Sequence, residues 1–217
     1  MKIAIVIGAT GLVGTQLVHL LLNDIRFGKI IVFGRRNVGI NHAKLEEHLI
    51  DFDKPESWQH VVKGDIFFST LGTTLKQAGG QEAQYKIDYT YQYQFAEAAA
   101  RNGVPVYVLV SSAGANPDSK IFYSRMKGEL ERDVQKLPFS SINLIQPGLL
   151  VGPRQEERTG EKVGFHVLKA FNTVGLFKKY RPIPGSVVGQ AMINAGLAAA
   201  RGVHTFTLEK VFRLAGE

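Results

Sequence analysis

Cysteine is missing from the sequence, which has 217 residues. Its absence excludes disulfides, thiolate catalysis and cysteine-ligated zinc or iron–sulfur clusters. We also expect no secretory signal, because Met1 and Lys2 lead directly into the apolar stretch IAIVIGATG. These features are typical of a protein in a reducing compartment, so we expect it to be cytoplasmic.

Long apolar runs are also scarce, and none approaches the roughly 18 residues of a membrane-spanning helix. We therefore expect no membrane partner. The formal charge of +7 would suit nucleic acid. However, the basic residues are scattered and are adjacent only at Arg35-Arg36 and Lys178-Lys179, so we expect no nucleic-acid partner either.

Metal-binding patterns are missing too. The six histidines form no His-Glu-x-x-His motif. His42 and His48 stand six residues apart, which places them on different faces of a helix. We therefore expect no metal site.

What the sequence does contain is a regular alternation of short aliphatic runs with longer segments of helical period. Several of the runs are apolar at consecutive positions, as in parallel strands that are covered on both faces. Strands are predicted at 2–7, 29–34, 45–52, 65–70, 105–111 and 141–146, and helices at 11–24, 55–64, 81–103 and 123–137. The fold class is therefore α/β, a Rossmann-type doubly wound parallel sheet flanked by helices, with ligands outside the carboxyl ends of the strands.

The composition changes after Pro147. Residues 146–161 are rich in glycine, proline and charge and predict a long loop, which in a compact domain is more often functional than idle. A helix at 162–171, a turn at 181–185, a helix at 187–200 and a strand at 204–209 are predicted to follow it. We predict one domain over 1–217, with a cofactor core at 1–148 and a small C-terminal substrate-side extension at 149–217. Arg154 of the loop is either an anion contact or part of a charged lid.

Three glycines stand where the first strand meets the first helix, with the spacing Gly-x-x-Gly-x-x-Gly. Glycine allows a sharp turn, close approach of the backbone to a pyrophosphate and tight packing of helix on strand, and the free N–H groups of the helix attract phosphate. This position at the start of a β-α-β pattern makes a mere turn a poor explanation. The predicted cofactor contacts here are Gly8, Thr10, Gly11, Leu12, Val13 and Gly14.

The end of the second strand reads VFGRRN. A free ribose 2′-hydroxyl is usually held there by Asp or Glu, whereas a 2′-phosphate favours arginine. Arg35 and Arg36 offer two guanidinium groups for such a phosphate, although a pair of solvated surface charges is the simpler interpretation. The sequence therefore predicts NADP(H) in preference to NAD(H).

Tyr123 and Lys127 form a Tyr-x-x-x-Lys pair shortly after Ser111 and Ser112, which end the fifth strand. The spacing alone arises easily by chance, but residues four apart share a helix face, and the pair falls at the ligand-binding rim of the predicted sheet. The structural alternatives are a tyrosine in the core, a lysine that reaches solvent, and serines that cap a turn.

Several segments resemble the short-chain dehydrogenase/reductase superfamily in order and position: GATGLVG, VSSAG, YSRMK and QPG. Three longer segments are similar to its atypical NAD(P)H-binding subfamily, which includes the HIV Tat-interacting tumour suppressor and bacterial relatives: STLGTTLKQAGG, YSRMKGELE and PGLLVGPRQEERTGE. The resemblance covers nearly the whole chain. It implies an NADP(H)-dependent oxidoreductase that acts on an unidentified small carbonyl or alcohol.

The resemblance also implies roles for individual residues. Tyr123 would be the general acid/base, and the charge of Lys127 would favour its phenolate while the lysine also bonds the nicotinamide ribose. Ser112, or else Ser111, would donate to the substrate carbonyl. Further implied cofactor contacts are Asp51 and Phe52 at the adenine, Leu71, Gly72, Thr73 and Thr74 at the pyrophosphate and ribose, and Pro147 and Gly148 at the nicotinamide.

Two departures from the superfamily pattern are visible. STLGTT stands where well-known members carry NNAG, and the asparagine that relays protons from the middle helix has no clear counterpart in YKIDYTYQYQ. A second function class also stays open, an NADPH-binding sensor or regulatory protein with a protein partner and little catalysis, because this fold is shared by many functions and the subfamily includes interaction proteins.

Overall fold

The computed structural model of the chain describes residues 1–152 and 181–217. Seven parallel strands form one sheet in the order β3-β2-β1-β4-β5-β6-β9, and two short strands, β7 and β8, pair separately. In chain order the strands are β1 (Lys2–Ile7), β2 (Phe27–Gly34), β3 (Leu45–Leu49), β4 (Ile66–Ser69), β5 (Val106–Val110), β6 (Ser141–Gln146), β7 (Leu150–Val151), β8 (Ile183–Pro184) and β9 (Gly202–Thr207). The predicted doubly wound parallel sheet is confirmed.

Helices connect and cover these strands. They are α1 (Leu12–Asn23), α2 (Pro55–Trp58), α3 (Leu75–Ala78), α4 (Gln81–Tyr85), α5 (Tyr91–Arg101), α6 (Phe122–Val134), α7 (Gly185–Ala198) and α8 (Glu209–Ala215). A 3₁₀ turn (Gln59–Val61) follows α2, and a π-helical turn (Lys86–Thr90) joins α4 to α5. Within the described ranges, no helix is long and apolar enough to cross a bilayer.

Two apolar layers hold the sheet. Alternate residues of a strand point to opposite faces, so Ala4 and Val6 of β1 pack in one layer and Ile5 and Ile7 in the other. Helices α1 and α7 cover the first face, and α5 and α6 cover the second. Burial on both faces explains the consecutive apolar residues in the central strands.

The element boundaries differ from the predictions at several places. The third strand ends at Leu49 and not at residue 52, and the predicted helix at 55–64 becomes α2 with its 3₁₀ turn. Strand β7 lies in the segment that was predicted as a loop, and strand β8 lies in the segment that was predicted as a turn. The two strands pair with each other. The last strand covers 202–207, and the unpredicted α8 follows it because the chain turns at Leu208, which has φ +52°.

Candidate active site

A cleft of about 360 Å³ opens at the carboxyl ends of β1 and β2. Crevices at this edge of a parallel sheet are the usual ligand sites of doubly wound folds. It is lined by Gly8, Ala9, Thr10, Val32, Phe33, Gly34, Arg35, Arg36, Val38, Phe52 and Leu71. The structure therefore brings the glycine loop and the arginine pair to one cavity.

The glycines of the first loop are required by close backbone approach. Gly8 has φ +79°, and a Cβ there would collide with the backbone of Thr70 and Leu71. A Cβ on Gly14 would collide with the carbonyl oxygen of Gly8. Gly11 is the N-cap of α1 and offers no side chain to the first turn, which leaves the helix N–H groups free for an anion. This cradle fits a dinucleotide pyrophosphate.

The other predicted residues of this loop divide into two groups. Thr10 lines the cleft. Leu12 approaches Gly152 and Gly185, which lie after β6 in the chain, and the Val13 side chain is buried in the apolar layer beneath α1. Only the backbone of Val13 is therefore available to a ligand.

At the adenine end, Phe52 is buried and lines the cleft, whereas Asp51 is exposed and is not among the lining residues. Asp51 shapes a turn, because its carboxylate accepts from Asp53 N at 3.0 Å and its carbonyl accepts from the Trp58 indole at 3.0 Å. Phe52 is thus the better placed of the two predicted adenine neighbours.

The loop after β4 is fixed by a buried carboxylate. Asp88, on the π-helical turn, accepts from Thr73 N at 2.8 Å through Oδ1, and Gln84 Nε2 donates to Thr73 O at 3.2 Å. Gln92 Nε2 donates to Asp88 O at 2.7 Å. These bonds hold residues 71–74 beside the cleft, where Leu71 is a wall and Thr74 caps α3.

Sequence reasoning missed this network. A π-helical turn, which is often found at functional sites, leaves no pattern in a single sequence. The available signal was the series of polar residues Gln84, Asp88 and Gln92, which are spaced four apart and so share one helix face.

Tyr123 and Lys127 lie on the first two turns of α6, which begins beyond the carboxyl end of β5. Tyr123 is 40% exposed, whereas Lys127 is 3% exposed. The Lys127 Nζ lies 5.9 Å from the centre of the Tyr123 ring. The tyrosine is therefore accessible and the lysine charge stands close to it, as an acid/base pair needs.

The two predicted serines differ in environment. Ser111 is buried, and its hydroxyl has no partner with full hydrogen-bond geometry within the described ranges. Ser112 is half-buried and donates to Ala113 O at a long 3.4 Å, so its hydroxyl is readily available to a ligand. Ser112 is the better placed for a substrate.

The Pro147-Gly148 turn sits on the same rim. Ala113 N donates to Pro147 O at 3.0 Å, which joins the turn to the loop that follows β5. Gln146, just before it, donates to both carboxylate oxygens of Glu131. Arg154 and the predicted helix at 162–171 lie outside the described residues.

Glu131 is a buried carboxylate that sequence reasoning did not single out. Burial raises the pKa of Glu131, and the Ser111 hydroxyl, the Gln146 amide and the charge of Lys127 oppose that rise. The signal in the sequence was the repeated four-residue spacing of Tyr123, Lys127 and Glu131.

A Rossmann sheet with this glycine cradle and this Tyr-Lys helix defines a protein of the short-chain dehydrogenase/reductase class. Residues 4–194 match the model of the NAD dependent epimerase/dehydratase family. The chain belongs to that family.

Curated relatives cover nearly the whole chain. "Protein fmp52, mitochondrial" of Aspergillus niger is 36% identical over 220 residues, which are 97% of this chain and 94% of the relative. "Protein FMP52, mitochondrial" of Candida albicans is 33% identical over 218 residues, 98% of this chain and 94% of the relative. The predicted cytoplasmic localisation is contradicted by these relatives, whose names describe them as mitochondrial. The lack of cysteine excludes disulfides, and a chain without disulfides is compatible with more than one compartment.

Solved structures share the fold at low identity. MoeE5 in complex with UDP-glucose and NAD has a TM-score of 0.71 at 16% identity, with 98% of this chain and 80% of that chain covered. The Bordetella bronchiseptica enzyme WbmH in complex with NAD+ has a TM-score of 0.73 at 15% identity, with 95% and 76% covered. These likenesses support the Rossmann-type architecture.

Proposed function

We propose that the protein is an NADPH-dependent oxidoreductase of the short-chain dehydrogenase/reductase type, which transfers hydride to or from a small carbonyl or alcohol. The observation that carries the proposal is the pairing of an accessible Tyr123 with a buried Lys127 on the rim that also holds the glycine cradle. An accessible phenol beside a lysine charge is the arrangement that proton transfer to a carbonyl oxygen requires.

NADPH is preferred because of the charge at the adenosine end of the cleft. Arg35 and Arg36 are exposed at its wall, next to Gly34, and Asp51 turns away into its own loop. Guanidinium groups bind phosphate well, and a carboxylate in that place would repel it. The cradle of Gly8 and Gly14 supports binding of the pyrophosphate.

The side chains divide the chemistry among them. When bound, the nicotinamide supplies or accepts the hydride. Tyr123 gives a proton to the carbonyl oxygen during reduction and takes it back in the reverse direction. Lys127 stabilises the phenolate by its charge, and the Ser112 hydroxyl donates to the substrate oxygen and lowers the cost of developing negative charge.

We place the protein nearest the atypical NAD(P)H-binding subfamily, because STLGTTLKQAGG and YSRMKGELE are similar to its motifs.

The first experiment is a fluorescence titration with NADPH and NADH in parallel, followed by a screen of small carbonyls. Selective NADPH binding with turnover that Tyr123→Phe removes is the expected result. Cofactor binding without turnover, together with affinity for a protein partner that Tyr123→Phe does not change, would instead identify a sensor. Binding of neither dinucleotide would refute the proposed function.

A further inference from the structure

A buried carboxylate lies one helical turn beyond the proposed catalytic lysine. Glu131 follows Lys127 by four residues, as Lys127 follows Tyr123, so the three share one face of α6. Glu131 is 8% exposed. Burying a charge is unfavourable unless it is paired or hydrogen-bonded, so Glu131 must be held by specific partners.

Gln146 binds both carboxylate oxygens of Glu131. Its Nε2 lies 2.9 Å from Oε1 and 3.0 Å from Oε2 of the carboxylate. Its own Oε1 accepts from Thr207 Oγ1 at 2.7 Å. Because Gln146 ends β6 and Thr207 ends β9, these bonds tie α6 to the carboxyl ends of two paired strands.

The cluster also joins two parts of the proposed site. Gln146 immediately precedes the Pro147-Gly148 turn, and Glu131 stands on the helix that carries Tyr123 and Lys127. A shift of Glu131 relative to Gln146 would therefore shift the acid/base pair relative to that turn. Lys127 and Glu131 are both buried and lie one helical turn apart on α6, so the lysine charge favours the ionised form of the Glu131 carboxylate.

We propose that Glu131 is the positioning residue of the Tyr123–Lys127 pair: bound to Gln146, it fixes α6 against the Pro147-Gly148 turn and draws the Lys127 side chain along the helix face. The catalytic meaning of this inference rests on the proposed function, whereas the coupling of Glu131 to Lys127 can be measured without turnover.

The test observes Lys127 directly by NMR of protein labelled with ¹³C at the lysine ε carbons. Lys127→Arg assigns the signal, which is then compared in wild type, Glu131→Gln and Glu129→Gln. Glu131→Gln removes the charge but keeps an oxygen for Gln146, and thermal unfolding confirms that the variant is folded. Glu129 is the matched control, because it lies on the same helix and accepts instead from Tyr85 OH at 3.1 Å.

We expect the Lys127 signal to move in Glu131→Gln and to stay in place in Glu129→Gln, with NADPH affinity reduced severalfold in the first variant alone. A Lys127 signal that is unchanged in a folded Glu131→Gln would overturn the proposal. If Glu131→Gln does not fold, Gln146→Leu takes its place, since it removes the hydrogen bonds and leaves the carboxylate. If the wild type binds neither NADPH nor NADH, the proposed function fails, while the NMR comparison still decides the role of Glu131.

Discussion

The Lys127 Nζ lies 5.9 Å from the centre of the Tyr123 ring, with the lysine buried and the tyrosine 40% exposed. This asymmetry separates the pair from an ordinary core contact, in which the aromatic ring would be the buried member. It also separates it from a lysine that extends to bulk solvent. The proposed proton transfer at Tyr123 depends on this relationship.

Replacement of Tyr123 by phenylalanine removes the proton donor and keeps the ring. We expect turnover with the best carbonyl of the screen to fall by about 10²- to 10⁴-fold, the usual contribution of a general acid, with NADPH affinity nearly unchanged. Steady-state kinetics and a fluorescence titration measure the two effects. Tyr85→Phe is the control, because that hydroxyl bonds Glu129 and should not alter turnover. Equal losses in both variants would contradict the role of Tyr123.

Cofactor selectivity should depend on Arg35. Loss of a hydrogen bond to a charged group costs about 1.5–3 kcal/mol, so Arg35→Ala should weaken NADPH binding by roughly tenfold to a hundredfold. NADH binding should be unaffected, because its ribose carries no phosphate. Arg101→Ala is a suitable control, since Arg101 is exposed on α5 and paired with Glu97. Parallel titrations with NADPH and NADH measure this selectivity. An unchanged NADPH preference in Arg35→Ala would show that Arg35 is only a solvated surface charge.

The glycine cradle gives a steric prediction. Gly14→Ala would place a Cβ against the carbonyl oxygen of Gly8 and 2.7 Å from Thr70 Oγ1, so the loop must open. We expect a loss of stability of about 1–3 kcal/mol and loss of dinucleotide binding. Gly80→Ala meets no atom within 4 Å and should leave both properties nearly as in wild type. Urea unfolding and the NADPH titration measure the outcome, and a Gly14→Ala variant that binds normally would show that the loop relaxes freely.

Much of the fold could be predicted because parallel strands and amphipathic helices leave a pattern in neighbouring residues. The apolar run of β1 and the glycines after it are local signals, and the structure brings Gly8 and Arg35 to one cleft as the strand order requires. The last strand, β9, was predicted two residues too far along the chain. The turn at Leu208 that follows it has φ +52°, a backbone conformation that leucine rarely adopts and that residue propensity does not indicate.

The parts of the site that escaped prediction depend on long-range contacts. Asp88 binds Thr73 from fifteen residues away, and Glu131 binds Gln146 across the same separation. No spacing rule connects a helix residue to the end of the following strand before the sheet order is known. The family resemblance also placed Asp51 and Phe52 together at the adenine, whereas in the structure Asp51 is exposed and Phe52 is buried.

A pH dependence of stability should arise from Asp133 on α6. This carboxylate is bonded by Arg132 at 2.8 Å, Lys136 at 2.6 Å and Tyr89 OH at 2.9 Å, and the Arg132 bond is the main reason that its pKa lies below the usual 3.8. Because the folded pKa is lowered, the stabilisation is complete above the unfolded pKa and is lost as the pH falls below about 4.

Asp133→Asn should therefore be less stable than wild type by about 1 kcal/mol at pH 7, the scale of a partly exposed ion pair with hydrogen bonds. The difference should shrink as the pH falls from 4 to 3, because the unfolded wild-type chain then binds a proton at Asp133 while the folded carboxylate stays ionised. Urea unfolding at pH 7, 5, 4 and 3 measures it, with Asp118→Asn in the exposed loop before α6 as control. A gap that stays constant down to pH 3 would contradict a lowered pKa of Asp133 in the folded protein, because the unfolded chain alone would then have to gain the proton.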